Sequence, residues 1–188
     1  MSEETRQAVD AAQREYDEAD QAERSAGRAL IDAVAEALPA RVEALARKAV
    51  DKNPDQVRKL GNEGMQRLRA SLRSAAEEVA GQLLDQSGTP WRGSYAQSFG
   101  TSNYAVTSAL EALFGYPEKS KLQAPMRDAG FNTHPEPFPS EQLARAEDHI
   151  DMITALTHAA AATNTAARKV DTARKANDAQ DVADAWGD

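Results

Sequence analysis

Residues 3–38, EETRQAVDAAQREYDEADQAERSAGRALIDAVAEAL, decide the fold. Ala12, Ala19, Ala26 and Ala33 recur at intervals of seven, and Val9, Tyr16, Glu23, Leu30 and Ala37 form a second row at the same interval. Rows offset by three residues are the a and d positions of a helical seam. Ser2 is placed to cap the helix, and Glu3 and Glu4 sit where the macrodipole favours carboxylates. At a rise of about 1.5 Å per residue this helix is about 54 Å long. Its seam is mostly alanine until Leu30, Ile31, Val34 and Leu38, so the first half buries little area. With burial worth about 25 cal/mol per Å2, such a helix requires a partner along its length.

The other end of the chain supplies that partner. Ser140 is expected to cap a long helix over 140–175, striped by Leu143, Ala146, Ile150, Ile153, Leu156 and Ala160. A more polar seam follows through Thr163, Asn164, Ala167 and Val170, and residues 176–188 read as a frayed tail. The two long helices are expected to pair antiparallel, with Val9, Tyr16 and Leu30 on one and Ile150, Ile153 and Leu156 on the other.

Between them, Pro39 is expected to break or bend the first helix. A helical segment over 40–86 follows, interrupted at Asn53-Pro54-Asp55-Gln56 and again at Gly61 and Gly64. In that tetrapeptide Asn is a good cap, Pro suits the first helical position, and Gln can bond back to the cap. Residues 87–139 read as loops and short helices. They contain Trp91, Tyr95, Phe99 and Tyr104, and Gly130 is placed as a helix C-cap. Pro135, Pro137 and Pro139 enforce an extended strap whose Phe131 and Phe138 are expected to dock on the body. No run alternates as a strand does. The expected fold is all-α, an elongated helical bundle forming one domain over 1–188.

Composition fits that reading. Hydrophobic residues make up 41% and aromatics only 5%, too little bulk for a thick sheet sandwich but enough for close helix seams. The absence of cysteine excludes disulfides, thiolate nucleophiles and Cys-ligated zinc. No apolar run approaches the roughly 20 residues that cross a bilayer, and the acidic N-terminus lacks the apolar core of a signal peptide. The expectation is a cytoplasmic protein with no membrane contact.

Net charge is −8, unevenly spread. Residues 1–38 carry ten acids and four bases, whereas residues 41–73 carry nine bases and four acids. Arg41, Lys48 and Lys52 share one helical face, and Arg58, Arg69 and Arg73 share another if the helix passes Gly61 and Gly64. Phosphate binding needs such groups to converge, and the overall negative charge opposes nucleic acid at long range.

Catalytic patterns are thin. His149 and His158 lie nine residues apart, half a turn off the same helical face, and neither follows a glutamate by three residues as di-iron bundles require. There is no Gly-x-Ser-x-Gly elbow and no Gly-rich phosphate loop. No metal or cofactor is expected, and the reading leans away from an enzyme. A polar pocket, if present, is expected in the irregular middle among Trp91, Arg92, Tyr95, Arg127 and His134.

Trp91-Arg92-Gly93, with Tyr16-x-x-x-Asp20, resembles motifs of the small helical-hairpin substrates of actinobacterial type VII secretion. The resemblance implies a long helix directly after the turn, and Gly100, Gly115, Pro117 and Pro125 depart from that. Tyr16 also lies in the first helix, whereas that family's Tyr motif follows its second. The leading expectation is therefore a non-enzymatic helical interaction or structural protein that binds a protein partner or a second copy of itself. A pocket in 87–139 is the alternative, and a nucleic-acid-associated regulator using 41–73 is a further one.

Overall fold

The seam of residues 3–38 does not stop at Pro39. In the computed structural model, which describes residues 3–85 and 102–187, helix α1 runs unbroken over Glu3–Asp51. Pro39 has no N–H for the Ala35 carbonyl, a defect that costs about 3 kcal/mol in a free helix. Here Leu38 and Val42 flank it at 0% and 1% exposure. Their burial holds the path that the proline alone would break.

Asn53 then turns the chain. Its side-chain amide donates to the Ala49 carbonyl at 2.8 Å and so caps the end of α1. Helix α2 spans Pro54–Asp85, with a kink at Gly61. Gly61 has φ 63°, a left-handed conformation that glycine adopts without penalty. Gln56 does not bond back toward Asn53 through its side chain. It donates to the Ala129 carbonyl at 2.6 Å and ties the first turns of α2 to another element.

Three short helices follow. α3 is Asn103–Ala112, capped by Ser102, whose hydroxyl accepts from the Ala105 N–H. α4 is Tyr116–Asp128 and α5 is Ser140–Ala144. α4 ends in a Schellman turn in which the Phe131 N–H bonds the Met126 carbonyl and the Gly130 N–H bonds that of Arg127. Gly130 is required there twice over. Its φ is 77°, and a Cβ would stand 2.7 Å from the Gln56 amide nitrogen. The strap docks as its sequence implies, with Phe131 and Phe138 buried.

The last helix departs from expectation at both ends. Ser140 does not cap it. The Ser140 hydroxyl donates to the Phe114 carbonyl at 3.0 Å, and Pro139 occupies the cap position of α5. Arg145, at φ 36°, breaks the helical path. A 3-10 turn over Ala146–His149 intervenes before α6, Ile150–Trp186. α6 therefore continues well past Lys175.

α1 and α6 pair antiparallel, and their cross-links give the register. Arg41 meets Asp148, Thr163 meets Ala19, Lys169 meets Glu15, and Arg174 meets Gln13. The Thr163 hydroxyl lies 3.1 Å from the carbonyls of both Ala159 and Ala19, so a single proton serves two helices. α2 lies antiparallel on the other half of α1. Arg28 donates to the Leu84 carbonyl at the far end of α2, and Arg73 faces Glu43 nearer the turn. The core joins Leu30, Val34 and Leu38 of α1 to Leu83 of α2 and to Ile153 and Leu156 of α6. The protein is an all-α helical bundle, and no described helix is long and apolar enough to cross a membrane.

Two substitutions test this packing. Ile153→Asp places a carboxylate in a site with 0% exposure and abolishes the cooperative thermal transition. Pro39→Ala restores a helical hydrogen bond and raises stability in chemical denaturation, on the order of 1–3 kcal/mol. An unchanged melting temperature in the first variant, or a fall in the second, contradicts the packing described.

Candidate functional site

α1 and α2 pack side by side, and α2 carries its kink at Gly61, one turn after residues that line the space between them. Between them lies a groove of about 960 Å3. Its floor includes Ala46 and Val50 of α1 and Val57, Met65 and Leu72 of α2. Its walls carry Arg47, Arg58, Arg69 and Arg73, against the carboxylates of Glu43 and Asp51. A second concavity shares Glu43, Gln66, Arg69 and Arg73 with the first and carries the furrow on to Glu77.

The arginines are not equally engaged. Arg58 pairs with Asp55 one turn away, and Arg73 stands 3.9 Å from Glu43, both with most of the side chain exposed. Such exposed pairs contribute about 0–1 kcal/mol and leave the guanidinium groups available. Arg47 and Arg69 are exposed and form no ion pair among the described residues. The arrangement offers a greasy floor with charged donors along its rim, suited to an acidic amphipathic surface or to a phosphate chain.

This groove regroups the basic residues that helical spacing separates. Arg47 joins Arg58, Arg69 and Arg73 across the Asn53 turn. Arg41 is withdrawn to the opposite side, where its guanidinium binds Asp148 at 2.6 Å with only 11% of the side chain exposed. That pair fixes the α5–α6 joint to α1. Beside it, His149 Nε2 is buried and has no hydrogen-bond partner. Burial pushes the His149 pKa below its ordinary value, the Arg41 charge pushes it the same way, and Asp148 partly opposes them.

The expected pocket residues divide. Trp91, Arg92 and Tyr95 lie outside the described residues. Arg127 is exposed at the end of α4, its guanidinium 3.5 Å from the Ser120 carbonyl, and His134 is exposed on the strap. Neither lines the α1–α2 groove. Of the expected pairing residues, Leu30, Ile153 and Leu156 have 0% exposure, and Val9 and Tyr16 are half-buried. Ile150 is 51% exposed, because the turn at Arg145 resets the helical phase before α6 begins. Ala166, rather than Ala167, fills the seam between Thr163 and Val170. No group of His, Asp and Glu among the described residues could hold a metal ion.

Comparison with protein-family models, curated proteins and solved structures gave no match to the chain.

The His149 environment has a consequence for acid stability. With the folded pKa below 6.5, the unfolded chain takes up the proton first as pH falls. The contribution of the neutral ring is complete above pH 6.5 and is lost as pH falls from there through the folded pKa. Melting curves of wild type and His149→Gln are expected to diverge over that interval, with the variant less acid-sensitive. Equal slopes would place the acid sensitivity elsewhere.

Proposed function

We propose that the protein is a non-enzymatic helical interaction protein whose long α1–α6 pair is its assembling element. One observation supports this reading above the others. α2 ends at Asp85, beside Arg28, so α1 from Glu3 to Gly27 extends beyond it. That length is about 38 Å at the helical rise. Along it only Glu23 and Gly27 are buried, and the seam toward α6 consists of half-buried Val9, Ala12, Tyr16 and Ala19. Among the described residues this stretch is a two-helix pair, and one with so little buried area gains from a further helix laid against it.

The outer face of the pair suits such a helix. Ala8, Ala11 and Ala22 are exposed on it, and alanine lets a second backbone approach closely. The arginine groove supports a second reading, contact with a nucleic-acid phosphate chain through 41–73. That binding would fall steeply with salt.

The test is affinity purification from the native host with the full-length chain as bait, read for protein and for nucleic acid. The expected result is a stoichiometric protein species, either another protein or the chain itself, retained by wild type. Ala22→Lys is expected to release it without changing the melting temperature. Retention of nucleic acid alone, or of nothing, with a monomeric bait, overturns the reading.

A further inference from the structure

We propose that the arginine-lined groove between α1 and α2 is filled by the acidic face of α1 from a second copy of the chain. This rests on the interaction reading and names its partner. The argument begins with two further rows at intervals of seven on α1. One is Glu4, Ala11, Glu18, Ser25, Asp32, Pro39 and Ala46; the other is Ala8, Glu15, Ala22, Ala29, Glu36, Glu43 and Val50. Every member from Glu4 to Glu36 is exposed. The last members, Pro39, Glu43, Ala46 and Val50, line the groove. One face of one helix therefore carries alanines and carboxylates at its first end and, at the other, the α1 side of a groove whose arginines come mostly from α2.

The net charges are opposite: the groove carries four arginines against Glu43 and Asp51, whereas the N-terminal part of α1 is acidic, and the docking described below sets Glu15 level with the Glu43–Arg73 pair. The N-terminal part offers Glu4, Glu15 and Glu18 with no base on either row. Glu15 already meets Lys169 of α6, and Glu4 and Glu18 form no ion pair among the described residues. The groove offers Arg47 and Arg69 in the same condition. The small side chains of Ala8 and Ala11 suit close approach to the apolar floor at Val50 and Val57. Because donor face and groove lie on the same two rows, antiparallel docking is reciprocal. A two-fold axis near Ala29 places each acidic end in the other copy's groove and closes the assembly at two copies.

Charge reversal and covalent trapping test this together. Wild type is expected to sediment as a dimer that weakens with added salt. Arg69→Glu and Glu18→Arg change exposed side chains without ion-pair partners among the described residues, so the helical circular dichroism holds, as does the melting temperature at dilutions where wild type is monomeric. Each alone is expected to weaken the dimer by at least about tenfold, since like charges then face each other. The two combined in one chain are expected to restore it.

The chain has no cysteine, so Ala8→Cys combined with Val50→Cys gives the only thiols. They lie about 63 Å apart along α1, so a disulfide between positions 8 and 50 must join two copies. Oxidation is expected to yield a covalent dimer carrying that 8–50 link, and Arg69→Glu is expected to suppress it. A wild type monomeric at all concentrations overturns the proposal, as does a dimer indifferent to both reversals or one trapped without the 8–50 link. Recovery of a different protein by a monomeric bait also overturns it, but leaves the interaction reading standing. Salt-sensitive binding of a labelled duplex by the monomer, lost in Arg69→Glu, assigns the groove to nucleic acid instead.

Discussion

A helix of 49 residues cannot bury itself, and the rest of the molecule is arranged around that fact. α1 is about 74 Å long at the helical rise. Its C-terminal half is held from two sides, by α2 and by the start of α6. The large side chains of α1 are concentrated there, with Leu30, Ile31, Val34, Leu38 and Val42 all at 3% exposure or less. Each Leu or Ile buried to this degree contributes about 1.5–3 kcal/mol relative to exposure. A few such residues outweigh the hydrogen bond missing at Pro39. Among the described residues the N-terminal half packs only on α6, and its side chains are correspondingly small. One helix thus serves as a core element at one end and, among the described residues, as half of a two-helix pair at the other.

Polar contacts set the angles that apolar burial leaves open. Thr163 fixes the axial position of α6 on α1, because a one-turn slip would separate its hydroxyl from the Ala19 carbonyl. The Arg41–Asp148 pair anchors the start of α6 where Arg145 has broken the helical path. Gln56 and Gly130 act as a matched pair. The glutamine amide occupies the space a side chain at position 130 would need, and it satisfies the Ala129 carbonyl at the end of α4. That contact draws the first turns of α2 toward α4.

Much of the bundle was legible in sequence because a repeat of seven is a property of one helix read alone. The rows through Val9, Tyr16 and Leu30 and the stripe through Ile153 and Leu156 needed no knowledge of neighbours. Pro39 misleads for the complementary reason. Its local penalty is visible in the chain, while the packing of Leu38 and Val42 that overrides it is not. Arg145 gave no warning, since an arginine carries no signal for the left-handed conformation and its neighbours continue a helical pattern. The break there shifts the helical phase and leaves Ile150 exposed. The groove was out of reach because its arginines come from two helices whose relation depends on the Asn53 turn and the Gly61 kink. The candidate pocket in the middle of the chain had no comparable periodic support. Its described members, Arg127 and His134, stand apart from the groove.

The distribution of charge is partly explained by the fold and partly not. Glu3 and Glu4 at the start of α1, and Lys48 near its end, are what the macrodipole of a long helix favours. That preference accounts for an acidic-to-basic gradient along α1. It does not account for Arg58, Arg69 and Arg73, which lie in the first two-thirds of α2, whose last turn has no basic residue. Nor does internal pairing account for them. Arg69 has no ion-pair partner among the described residues, and the two pairs that exist are exposed and weak. These guanidinium groups line an apolar furrow in which the fold pairs them only through exposed, weak contacts, and that is the observation on which the proposed docking of a second copy rests. The acidic, alanine-bearing face on the same rows of α1 has the complementary charge and the small side chains that such a furrow accepts.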